Sequence, residues 1–195
     1  LHGLTSTNAT TWRDHAMVAA KAARALDPSL AEPWAVEAMI TGNLGRWSEA
    51  ERLHRKAIEL EPQQATPHHW LALHYLHTGY LGEFSSEAQV AYALDPANAA
   101  IVSLLATPML LAGDFAGAQR QFEKAVSLGG VMSAVVSLPQ TLYESGHPGQ
   151  ALEAARRGYA RIGLGARHAE LIHAAILDPK RRSAAREAIL SAPRD

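Results

Sequence analysis

Residues 66–79, TPHHWLALHYLHTG, set four histidines, His68, His69, His74 and His77, around Trp70 and Tyr75. Imidazole is the commonest metal ligand and titrates near neutral pH, so the cluster raises metal binding and proton transfer as candidate chemistries. Chelation by one helix needs both rings on one side, at spacings of three or four residues. Only His74 and His77 meet that condition. His68 and His69 diverge by about 100°, and His69 and His77 lie ~12 Å apart along a helix axis. A zinc site takes three or four ligands with supporting carboxylates, and this stretch holds no acid. Neither a metal nor a cofactor is expected. There is also no phosphate loop, GxSxG elbow, paired-glycine fingerprint or HExxH, and Ser85 and Ser86 near His77 amount to chance scatter. A non-catalytic chain is expected.

What positions these side chains follows from the composition. The 195 residues are 48% apolar but only 6% aromatic, with much Ala and little Val or Ile. Ala loses least entropy in a helix, whereas sheets favour β-branched and aromatic residues, so an all-α fold is expected. Absence of cysteine excludes a disulfide framework and thiolate metal sites. No apolar run reaches the ~20 residues of a membrane span, and the first residues lack a signal-peptide pattern. A cytoplasmic excerpt of a longer protein is expected, without membrane contact.

The net charge of −1 is unevenly spread. From Ala57 through Gln119 there is no Lys or Arg, against six acids, Glu59, Glu61, Glu83, Glu87, Asp95 and Asp114. The basic residues after Arg156 read as a solvated helix face, and the acidic middle would repel phosphates, so nucleic acid is not an expected partner.

The strongest signal is a period. Pro28, Pro62 and Pro96 recur every 34 residues, each ending a helical pattern, and Gly130 stands in the next register. Between these stops lie two amphipathic helices and a glycine-containing turn. In residues 99–130, Val102, Leu105, Ala106 and Met109 form one apolar face, and Ala118, Phe122 and Ala125 another. Trp34, Ala38, Ala50 and Ala57 repeat the pattern before Pro62, where Glu37, Thr41 and His54 depart from it. Leu71, Ala72, Tyr75, Ala88 and Ala91 repeat it before Pro96, with Phe84 in place of a small residue. Beyond 130, Leu138, Tyr143, Ala151, Ala155 and Gly158 fit once one residue is deleted in the turn.

These columns resemble the tetratricopeptide repeat, a helix-turn-helix unit. The resemblance implies a right-handed superhelical solenoid of antiparallel helix pairs, with about five to six repeats. Residues 1–28 form a partial repeat, in which only a second helix over roughly 11–26 is recognisable; 29–62, 63–96 and 97–130 are regular repeats. Residues 131–164 form a divergent repeat, and 165–195 a closing helix pair. Pro108 and Pro139 fall inside first helices and are expected to kink or shorten them. Thr66 is expected to cap the helix that carries the histidines, with Pro67 in its first turn and Gly79 at its end.

The resemblance also implies a concave groove lined by the first helices. Helical spacing assigns its inward row to Glu32, Ala35, Met39 and Asn43; Thr66, His69, Leu73 and His77; Ala100, Ser103, Thr107 and Leu111; and Ala134, Ser137, Thr141 and Glu144. No Lys or Arg stands in it. Members that hold a carboxylate tail need paired Lys, Arg and Asn, and Asn43 alone does not supply them. The expected partner is therefore a protein or peptide segment, basic or uncharged. His69 and His77 are expected to touch it, with affinity changing between about pH 6 and 7. His68 falls in a core column and reads as a neutral, hydrogen-bonded ring. The alternative is a regulatory or oligomerising arm of a larger enzyme or signalling protein, its groove filled intramolecularly or by a second copy in a homodimer. The ALDP, HHW and AIELEP phrases resemble repeat segments of multidomain bacterial signalling proteins.

Overall fold

The computed structural model describes residues 6–130, 132–161, 163 and 165–191, and every regular element among them is helical. The chain divides into two compact units, residues 1–96 and 97–195. In the first unit, α1 (Ser6–Leu26) precedes two antiparallel pairs, α2 (Ala31–Asn43) with α3 (Trp47–Leu60) and α4 (Ala65–Thr78) with α5 (Leu81–Leu94). In the second, α6 (Ala99–Leu104) and α7 (Ala106–Leu111) together face α8 (Phe115–Ser127). They are followed by α9 (Met132–Glu144) with α10 (Pro148–Arg161), and by α11 (Ala166–Leu177) with α12 (Arg182–Ser191), joined through a 3₁₀ turn at Pro179–Arg181. No described helix is long and apolar enough to cross a membrane.

Four of these pairs turn on the same device. Gly45, Gly79, Gly113 and Gly146 take positive φ of 76 to 84°, a region that costs a residue with a Cβ. In each turn the following N–H reaches back five residues, as Tyr80 does to the Tyr75 carbonyl at 2.9 Å and His147 to Leu142 at 2.8 Å. The first three glycines are 34 residues apart, but Gly113 and Gly146 only 33. The missing residue lies before α9, since α10 keeps the usual offset from its turn.

Small residues bring the helices of a pair together. Ala38, Ala50 and Ala57 in the first unit, and Ala118, Ala125 and Ala151 in the second, are fully buried. Phe84, in a column otherwise held by alanine, is also fully buried. One turn later α5 carries Ala88 where α8 carries Phe122, so the aromatic bulk has moved by a turn and not been added.

The two prolines behave differently. Pro108 has no N–H for the Leu104 carbonyl, and the helix breaks at Leu105 into α6 and α7. Pro139 does not interrupt α9, contrary to expectation for a shortened helix. The leading helix begins at Ser6, earlier than Thr and Asn content suggests. Thr66 is not a cap: α4 starts at Ala65 with Gln64 in the capping position, and Thr66 and Pro67 occupy the first turn, where a missing N–H is harmless.

Polar contacts tie neighbouring helices. Arg24 of α1 pairs at 2.6 Å with the buried Glu37 of α2 and stacks over Trp34, which accounts for an acid in an apolar column. Tyr75 of α4 donates to Glu51 of α3 at 2.9 Å and accepts from Arg55 at 2.8 Å. Burial, and then the bond to Glu51, push the Tyr75 phenol up to about 12. His68 Nδ1 lies 2.7 Å from Glu87 Oε2 of α5, and Nε2 3.2 Å from the Pro62 carbonyl. The ring thus ties α4 both to α5 and to the turn before it.

Candidate functional site

A cavity of about 230 Å³ opens in the first unit where α2, α3 and α4 meet. Helix α2 contributes Met39, Gly42 and Asn43 near its end, where Gly42 leaves space that a side chain would fill. Trp47 and His54 come from α3, one helical face seven residues apart; α4 adds Trp70, Leu73, His74 and His77. No Asp, Glu, Lys or Arg lines it.

The histidines are aromatic wall and floor. His74 lies 5.9 Å, centroid to centroid, from both Trp47 and His54, and meets His54 edge-on at 61°. His54 is only 2% exposed, and burial, with a lesser push from His74, lowers its pKa to about 3. Burial also lowers His74, against an opposing pull from Glu51. Both rings are thus neutral at pH 7, each with one donor and one acceptor nitrogen. His54 Nδ1 is buried without a hydrogen-bond partner among the described residues. Such an atom is costly unless something satisfies it. Among the described residues, no three of His, Asp and Glu converge to hold a metal ion.

The second unit carries a cavity of about 390 Å³ where α9, α10 and α11 meet, its walls including Val136, Gln140, Tyr143, Tyr159 and Ile172. Here the one histidine in contact is engaged: the Tyr143 hydroxyl lies 2.5 Å from His173 Nδ1 of α11.

No family model and no curated protein matches the chain. Solved structures do. The thermophilic TPR protein TTC0263 of Thermus thermophilus is 17% identical, with a TM-score of 0.68, over 95% of this chain and 94% of that one. YrrB, described as a TPR protein with an unusual peptide-binding site, is 19% identical with a TM-score of 0.59, over 87% of this chain and 88% of that one. MamA is 18% identical with a TM-score of 0.61, over 80% and 92% respectively. The fold is that of the tetratricopeptide repeat.

In the TPR register the inward row can be followed residue by residue. Met39, Asn43, Leu73 and His77 come together in the α2–α3–α4 cavity. Thr66, exposed, and His69, half-buried, stand on the same helix as His77 but outside it. In the second unit Ser103 is 5% exposed, its hydroxyl 3.0 Å from that of Ser133 on α9, so it joins two first helices and is not free for a ligand. Thr107 is half-buried.

On α9 the row needs correction. Thr141 is 1% exposed and donates to the Ser137 carbonyl at 2.8 Å, and Ala134 is fully buried. The 33-residue interval before α9 turns the helix by about 100° relative to a 34-residue register. The exposed residues are instead Ser133, Val136 and Gln140, while Glu144 remains exposed and Ser137 half-buried. Trp47 was not singled out from the sequence, and Trp70 and His54 were named without a place in a site. His54 was visible only as a polar intruder in a column that Phe122 fills elsewhere.

Proposed function

We propose that the chain is a non-catalytic protein-interaction module that holds a peptide or partner helix along its first helices. The observation that supports this best is the α2–α3–α4 cavity, an aromatic-walled recess without a charged lining residue, at which four inward-row side chains meet. It lacks the paired cations that would fork a carboxylate tail, while the long stretch without Lys or Arg disfavours acidic partners. A basic or uncharged segment with an apolar anchor fits both properties. YrrB, a protein of the same fold described as having a peptide-binding site, supports this class of ligand. A cytoplasmic place in a bacterial signalling protein goes with this reading.

A second reading, a regulatory or oligomerising arm, is favoured by α1. Trp12, Ala19, Ala22 and Leu26 recur on one side of it and are all exposed. The two readings separate in one pair of measurements on the purified chain: mass in solution over a concentration series, and selection from a displayed random peptide library. A monomer that enriches a defined motif supports the module. A concentration-dependent dimer that enriches none overturns it in favour of the arm.

A further inference from the structure

We propose that the α2–α3–α4 cavity is a socket for one tyrosine side chain of the bound peptide, its hydroxyl hydrogen-bonded by His74. The inference rests on the groove reading above and adds the identity of the anchor.

The second unit carries the argument. Three residues before the four turn glycines stand Gly42, Leu76, Leu110 and Tyr143, each giving its carbonyl to the turn. Only the first of these lacks a side chain. Tyr143 reaches from α9 to the next first helix, where its hydroxyl meets His173 Nδ1 with the rings 5.7 Å apart. At the corresponding place in the first unit, a Cβ on Gly42 would lie 3.8 Å from His74 Nδ1 of the next first helix, with only ordinary contacts to Ala50 and Trp47. The second unit thus supplies its own phenol to a histidine, whereas the first offers histidines, an open space and no phenol.

The lining selects for that group. Volume of about 230 Å³ is below the range usual for drug-sized ligands and suits one side chain. Trp47, Trp70 and His74 favour a flat ring over an aliphatic chain. With His54 and His74 neutral and no charged residue lining the walls, a carboxylate, ammonium or guanidinium would be desolvated without a counter-charge. The ring nitrogen beside the open space is Nδ1 of His74, and an O–H can both donate and accept, so it satisfies that nitrogen in either tautomer. Phenylalanine would make no such bond, and a site built around a hydroxyl rejects the analogue that lacks it.

The test uses N-acetyl-L-tyrosinamide and N-acetyl-L-phenylalaninamide as probes, followed through the carbon-bound ring protons of His54 and His74 by NMR. Tyrosinamide is expected to shift both rings, and phenylalaninamide to bind about tenfold more weakly. That discrimination should vanish in His74→Leu, and Gly42→Tyr should abolish binding by filling the socket from within. Unmoved His54 and His74 signals in the wild type, or equal affinity for the two probes, would overturn the proposal even if Gly42→Tyr failed to fold. Failure of the groove reading looks different. Tyrosinamide would still bind at His74 while the peptide library enriched nothing, whereas an enriched motif without tyrosine would leave the groove standing and remove the socket.

Discussion

The α2–α3–α4 and α9–α10–α11 cavities occupy the same place in their repeats and hold opposite contents. In the second, Tyr143 spans to His173, and Ala155 stands nine residues beyond the turn glycine, in a cluster with Val135, Tyr159 and Ala169. In the first, Gly42 sends no side chain across and His54 occupies the position of Ala155. The glycine turn and the small-residue columns are shared, so the scaffold does not decide what a cavity does. Two positions do: one that carries or lacks a phenol before the turn, and one that makes the floor apolar or polar. A repeat protein can therefore change a packed joint into a receptive one without disturbing its period.

The comparison breaks most visibly if its filled member is emptied. Tyr143→Gly should cost about 3 kcal/mol, combining a lost aromatic with glycine in a helix, and urea denaturation would measure it. A loss below about 1 kcal/mol would mean that Tyr143 is not a structural plug. Next comes the polar floor. His54 binds no proton in the folded state above about pH 3, whereas the unfolded ring titrates near 6.5. Between these values the unfolded chain holds more protons, so stability is complete above pH 6.5 and declines as pH falls. At pH 5 the wild type should have lost about 2 kcal/mol that His54→Leu retains.

Smaller effects come from two glycines. A Cβ on Gly158 would sit 3.0 Å from Val135 Cγ1, but one on Gly42 no closer than 3.5 Å to Ala50. Gly158→Ala should cost about 1 kcal/mol through that contact, and Gly42→Ala should gain about 0.5 kcal/mol, both read from thermal denaturation. The smallest change is Glu51→Gln. It removes the carboxylate that accepts from Tyr75, so the phenol should titrate lower than its present value of about 12, while burial still keeps it above the ordinary range. Ultraviolet titration would follow it.

Much of the fold was legible because the period is carried by residues that act locally. Pro28, Pro62 and Pro96 stop helices wherever they occur, and Gly79 takes its left-handed turn for reasons contained within six residues. Less was legible where one residue's role depends on another far away. Thr66 has a capping side chain, but the helix begins ahead of it. Thr141 was misplaced because a single missing residue before α9 rotates the whole face, which a fixed register cannot register. His54 looked like noise in its column, since its meaning depends on Gly42 and His74, which only the packing of three helices brings near it.

The absence of charge around the α2–α3–α4 cavity has a kinetic consequence. A basic peptide drawn by the acids of residues 57–119 would arrive at a rate that falls with added salt, as screening shortens the reach of those charges. Its departure would depend on an aromatic ring leaving a recess without a charged lining residue, a step that salt barely touches. Arrival and residence are then set by different residues, so either could be tuned by mutation while the other stays fixed.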